Sequence, residues 1–290
     1  MLEGAMEPKA IAERAAKLGF PAVALTDRNG LYAAMAFTEA CIGKGVQPIV
    51  GAMLAVARPP ELGSAGVDWL VLLAKDEQGY SNLCHLVSSA HLDRPVELDP
   101  HVPFSALEAM SEGLIALTAG AEGALARLLS EGQKDKAKSY LDRLEAIFPD
   151  RLYVEIIRRN DPIEESSEEL LIELAYDRNL PLIATNPAAY SDPSFHAAHD
   201  AMLCIAQSAY IESNDRQTSS PESWLKDSTA MAELFLDLPE ALTNTSIVAQ
   251  RCAVGAPKRR PILPRLSDHE DEQLQADAHA GLDARLAGRS

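Results

Sequence analysis

The sequence predicts an α/β fold whose parallel sheet is closed or distorted into a barrel in preference to an open sheet. Short apolar runs of strand length alternate with helical patterns along most of the chain, the mark of a parallel sheet covered on its outside by helices. So many repeating units favour closure. The hydrophobic fraction of 47% and charged fraction of 24% are those of an ordinary globular protein, and 290 residues suffice for a sizeable core.

The elements follow in order. Pro8 to Leu18 reads as a helix: Pro8 suits the first turn, Ile11, Ala15 and Leu18 share a face, and Gly19 stops it. Ala22 to Leu25 is a short buried strand, and Thr26 to Gly30 a polar turn. A second helix covers Tyr32 to Lys44 and ends at Gly45. Pro48 to Val56 and Trp69 to Leu73 are strands, and Glu77 to Ala90 is a helix. Leu114 to Thr118 is a strand, followed by helices over Ala121 to Leu129 and Asp135 to Ile147. Leu152 to Ile156 is the next strand. The helix after it is the best signalled: Asp161 can cap, Pro162 fits the first position, Glu164 can close a capping box, and Leu170, Leu171 and Leu174 form an apolar face. Leu182 to Ala184 is a last strand, and helices fill the chain to about Cys252. Residues 255–266 read as a linker, with Pro257, Pro261 and Pro264 around Lys258, Arg259 and Arg260. Asp268 to Leu286 reads as a further helix.

Composition excludes several functions. The formal net charge of −17 opposes binding to a phosphate backbone, which works by exchanging counterions for Lys and Arg. No apolar run reaches membrane-spanning length, and no basic segment followed by an apolar stretch opens the chain, so neither a membrane span nor a signal peptide is expected. Cys41, Cys84, Cys204 and Cys252 are too widely spaced for a CxxC pair and read as reduced cytosolic thiols. There is no glycine-rich phosphate loop, no GxSxG, no HExxH and no Asp-x-Asp pair that could hold the two metals of a polymerase.

In barrels of this kind chemistry sits on the loops after the strand C-termini. That singles out Asp27, Thr118 to Ala121, Glu155 to Arg159 and Thr185 to Ala189. Asp27 and Glu155 at strand tips could hold divalent metal, or serve as ordinary loop acids. A second cluster, His196, His199, Asp200 and Cys204, falls on one helix face at offsets of three, four and eight. It could bind zinc or another transition metal, or form a polar helix edge over a buried cysteine.

Five stretches carry a family resemblance. GFPAVALTDRNGLYAAMAFTEACIGKGVQPIVGAMLAVA, LYVEIIRRNDP, LPLIATNPAAY, HAAHDAMLCIAQ and SWLKDSTAMAELFLDLPEALTNTSIVAQRCAV resemble, in the right order, blocks of the PHP (polymerase and histidinol phosphatase) domain of the bacterial DNA polymerase III alpha-subunit family. The resemblance implies a PHP-type distorted (β/α)7 barrel over residues 1–254, with 255–290 as linker and start of the polymerase palm region. The opening MLEGAMEPKAIAERAAKLGF is similar to sequence just after the family's first strand, which carries an HxH motif. The chain is therefore expected to lack that strand and to be truncated at both ends.

The family's ligand positions map one by one. Active members have TDH where this chain has Thr26, Asp27 and Arg28. Their glutamate matches Glu155, and their following histidine matches Arg159. Pro187 and Ala189 replace the two ligands of a TNDxHY block, and a family cysteine falls at Gly120. The resemblance thus implies a remnant of two metal ligands, no catalytic residue and no bound metal, with Arg28 and Arg159 expected to neutralise Asp27 and Glu155. It places His196 to Cys204 in a structural block. It implies a cytoplasmic scaffold that docks the proofreading exonuclease and other replicase subunits, with Mg2+ used by the parent polymerase and DNA reached only through that polymerase. An active metal-dependent PHP phosphoesterase is the alternative, and an error-prone paralogue a variant within the family.

Overall fold

The computed structural model describes residues 3–62, 66–260 and 263–288. Two compact units divide at 256/257. The first holds a six-stranded sheet in the order β1-β2-β3-β4-β5-β6, with β1 Ala22–Arg28, β2 Gln47–Ala57, β3 Val67–Ala74, β4 Leu114–Leu117, β5 Leu152–Ile156 and β6 Leu182–Ala184. All six coincide with strands expected from the apolar runs. The sheet curls into a half-barrel, and among the described residues its edges β1 and β6 do not pair with each other.

The sheet is mixed, which corrects the all-parallel expectation. β3 runs antiparallel to both β2 and β4, while the other neighbours are parallel. The reason is local: the segment 58–66 between β2 and β3 is too short for the crossover of a dozen or more residues that a parallel return requires.

The helices are α1 Pro8–Lys17, α2 Ala34–Gly43, α3 Glu77–Leu92, α4 Phe104–Ala109, α5 Ala124–Ser130, α6 Lys134–Ile147, α7 Pro162–Asp177, α8 His196–Gln207, α9 Ser228–Leu234 and α10 Pro239–Arg251. The second unit contains α11 Glu270–Ala287, with every described side chain of that helix exposed.

Strand alternation sorts the core into two layers. On the outer face Leu54, Leu70, Leu72, Ala116, Val154 and Leu182 pack against α3 to α7 in the main cluster, and α1 and α2 cover β1 through Ile11, Ala15, Phe37 and Cys41. On the inner face Ile49, Val71, Leu73, Ile115, Leu117, Tyr153 and Ile183 meet Val248 and Cys252 of α10. Helix α10 is tied to strand starts: Asn244 Nδ2 donates to Leu182 O (2.7 Å), Arg251 Nη1 to Tyr153 Oη (2.9 Å), and Gln47 Nε2 to Ala249 O (2.6 Å). It therefore occupies the end of the half-barrel where the parallel strands begin. The opposite end, where they finish, is left for the site.

Three local expectations are corrected. β1 is half-buried rather than buried, and continues through Arg28; the turn starts only at Asn29, whose φ is +44°. Asn29 is fixed there because its side chain accepts from Ala55 N (2.9 Å) and donates to Pro100 O (2.7 Å). Asp161 does cap α7, accepting from Ile163 N and Glu164 N. Glu164 closes no capping box, because its carboxylate is held by Arg159 instead.

Candidate functional site

Glu155, the penultimate residue of β5, lies on the inner face and is 3% exposed. Thr118 and Ala119 leave β4 beside it. Ala119 N–H donates to Glu155 Oε2 (2.8 Å), Thr185 Oγ1–H donates to Oε1 (2.6 Å), and Glu155 N–H donates to Thr118 Oγ1 (2.9 Å). Three expected loops thus converge on one carboxylate. Ala119 and Gly120 both take positive φ, +62° and +49°, which turns the Ala119 amide onto the acid. At Gly120 a Cβ would lie 2.5 Å from Ile157 Cδ1, so a side chain there would require Ile157 to shift. Burial pushes the Glu155 carboxyl above its ordinary range, and the bonds from Thr185 and Ala119 offset this only in part.

The arginines do not sit where expected. Arg159 pairs with Glu164, 4% exposed, through Nη2 (2.7 Å) and Nε (3.0 Å), and its own N–H bonds the second oxygen (2.8 Å). Arg28 pairs with Glu3 (2.7 Å) and with Glu122, and lies 4.6 Å over the Trp69 ring. Neither guanidinium bonds Asp27 or Glu155. Alternation along β1 explains the first case: Val23 and Leu25 face α1 and α2, so Asp27 shares their side while Arg28 takes the other. Asp27 is pushed up by burial and then by the negative charge of Glu3.

Beyond β6, Pro187 is exposed, and Ala189 works through its backbone. Its N–H donates to Ser223 O (2.8 Å) and its carbonyl accepts from Ala5 N (2.7 Å). His199, buried, bonds Ser219 Oγ (2.7 Å) with Nδ1 and Glu3 O (2.7 Å) with Nε2. His196 Nε2 reaches Ser219 O (3.0 Å). Asp200 takes a bidentate contact from Arg216 (2.9 and 2.8 Å) and the Ser219 N–H (2.9 Å). Cys204 is buried separately. The helix-face cluster therefore latches the 208–220 loop and the N-terminal segment. Among the described residues, no group of three or more His, Cys, Asp or Glu side chains is placed to hold a metal ion.

The donor set does not suit several cations. Both Glu155 oxygens already accept protein hydrogen bonds, and guanidinium groups, which cannot give up a proton, stand at positions 28 and 159. A family model for the PHP domain matches residues 1–159. The chain belongs to the PHP family. DNA polymerase III subunit alpha of Caulobacter vibrioides is 38% identical over 295 residues, covering 99% of this chain and 26% of that protein. The Rickettsia bellii and Escherichia coli K12 subunits are 35% and 34% identical, with 98% and 99% of this chain and 24% and 25% of theirs covered. The chain matches their N-terminal region and spans about a quarter of their length. An amidohydrolase structure from Chromobacterium violaceum superposes with a TM-score of 0.43 at 13% identity, over 63% of this chain and 82% of that one.

Sequence reasoning finds the PHP strand ends but misses the counter-ions Glu3, Glu122 and Glu164. For Glu164 a signal exists: it lies in register with Ser167, Leu171 and Leu174 on the buried stripe of α7, and an acid there calls for a cation. For Glu3 and Glu122, distant in sequence from Arg28, there is none.

Proposed function

We propose that this chain is the N-terminal PHP portion of a cytoplasmic replicative DNA polymerase alpha subunit, acting in DNA replication as a scaffold and as a docking platform for the proofreading exonuclease and other replicase subunits. Its phosphoesterase site is degenerate, and templated nucleotidyl transfer with Mg2+ belongs to other parts of the parent subunit. One observation carries the reading: Arg28, at a family ligand position, is clamped between Glu3, Glu122 and the Trp69 ring. A guanidinium already takes up the Glu3 and Glu122 carboxylates at that end of the pocket, so those acids are not left free to hold a divalent ion. The 38% identity to a polymerase alpha subunit across nearly the whole chain supports the replicase assignment.

The alternative is an active metal-dependent phosphoesterase, for which Asp27 and Glu155 would supply the carboxylates and Asp27 would have to turn from the α1/α2 side toward the inner face. Hydrolysis of bis-p-nitrophenyl phosphate with added Mn2+ separates the two. The scaffold reading expects no Mn2+-dependent rate above a Glu155→Gln control, whereas a rate abolished by that substitution would establish the alternative. Co-elution with the exonuclease subunit tests docking, and separate elution at micromolar concentrations would remove that part of the proposal.

A further inference from the structure

Helix α7 carries more negative charge than the neighbouring cations Arg158, Arg159 and Arg178 neutralise. It holds six acids, Glu164, Glu165, Glu168, Glu169, Glu173 and Asp177, and no Lys or Arg. Arg159 and Arg158 neutralise Glu164 and Glu168. The other four, Glu165, Glu169, Glu173 and Asp177, are exposed and spaced by four, so they form one stripe along the helix. Among the described residues none of the four makes an ion pair or side-chain hydrogen bond. Like charges four residues apart destabilise a helix, and Asp177 at the C-terminal end also opposes the helix dipole. The stripe borders a groove of about 510 Å³ whose lining includes Ile157, Ile172 and Leu234, with Glu165 and Glu169 among its acids and a single cation, Arg158, already paired with Glu168 and Asp237.

We propose that this groove docks a basic amphipathic helix, with Lys or Arg at every fourth position over the stripe and an apolar residue seated against Ile172 and Leu234. Charge sets the occupant. A second copy of this chain would bring a net −17 of the same sign, and a nucleic acid would be repelled. A cationic helix has the matching spacing, because side chains four apart on any helix are neighbours. Apolar area on the floor supplies affinity, and the acidic rim supplies specificity and encounter rate. The proposal stands independently of exonuclease docking.

The test is fluorescence anisotropy with a labelled helical probe peptide carrying Lys at every fourth position and an adjacent Leu, titrated with the whole chain. The variant E165Q/E169Q/E173Q is compared with E97Q/D99N/E108Q, which removes the same charge from exposed acids elsewhere. The stripe variant is expected to bind the probe about tenfold more weakly and to melt about 2 °C higher as repulsion along the helix is relieved, which shows that it is folded. The control variant is expected to bind within about twofold of the parent. Failure of the parent chain to bind, unchanged binding by the stripe variant, or equal weakening by both variants would overturn the proposal.

Discussion

Replacing Arg159 by Met isolates the buried ion pair at the tip of β5. The substitution keeps the length of the apolar stem but removes both guanidinium bonds to Glu164, leaving only the backbone N–H of residue 159 on the carboxylate. Glu164 is 4% exposed, and the cavity it shares with Glu155 and Gly120 measures about 10 Å³, room for one water at most. Losing one partner of a buried pair costs about 3–5 kcal/mol when the remaining charge stays buried. Protonation offers Glu164 an escape. Starting from an unfolded value near 4.3, holding the acid neutral costs about 3.7 kcal/mol at pH 7 and about 1 kcal/mol at pH 5. The expected loss is therefore about 3 kcal/mol at pH 7, or about 6–12 °C in Tm, shrinking to about 1 kcal/mol at pH 5. The sign follows from linkage: the substitution raises the folded-state value of Glu164 further above its unfolded value, so stability falls as pH rises through that window. Urea melts at both pH values measure it. Adding Glu164→Gln, which removes the charge, is expected to restore a large part of the loss at pH 7. An equal loss at pH 5 and pH 7, or no rescue, would refute the argument that an uncompensated buried carboxylate is responsible.

Three further outcomes follow from the same structure. The Arg216 contacts hold the Asp200 carboxyl down at about 2, so its contribution is present above the unfolded value near 3.9 and is lost as pH falls toward 2; Asp200→Asn should cost about 1–3 kcal/mol at pH 7 and flatten that acid limb in pH-dependent melts. Asp27 is raised by burial and by Glu3, so Asp27→Asn should raise Tm at pH 7, with the gain shrinking as pH falls and the acid takes up its proton; a lower Tm at pH 7 would show that its charge is compensated after all. Burial pushes the thiols of Cys41 and Cys252 up to about 11 and about 12, and Cys204 is also buried. Native-state labelling with a thiol reagent, read by peptide mass, should therefore be confined to half-buried Cys84.

Much of this architecture is legible in the chain because strands such as Leu114–Leu117 and Leu152–Ile156 are wholly apolar or nearly so, and covered strands must be. Capping by Asp161 ahead of Pro162 is equally local. The direction of β3 is less accessible, since apolar runs look alike in parallel and antiparallel sheets, and the short 58–66 connection is the only cue. At the site, the strand ends that meet around Glu155 are legible because their place follows from topology, although Asp27 falls on the other side of the sheet. Their partners are not, because Arg28 meets Glu122 across 94 positions and periodicity carries no information at that range. Strand alternation does contain a warning that Arg28 and Asp27 face opposite sides.

The central claim is that the strand ends are held by carboxylate–guanidinium pairs and protein hydrogen bonds rather than by divalent cations. Metal analysis by inductively coupled plasma mass spectrometry, after incubation with excess Zn2+ and Mn2+ and removal of free ions by gel filtration, tests it directly. The account predicts a content well below about one ion per chain, unchanged by Asp27→Asn with Glu155→Gln. Two or three ions per chain, lost on making that double substitution, would contradict it.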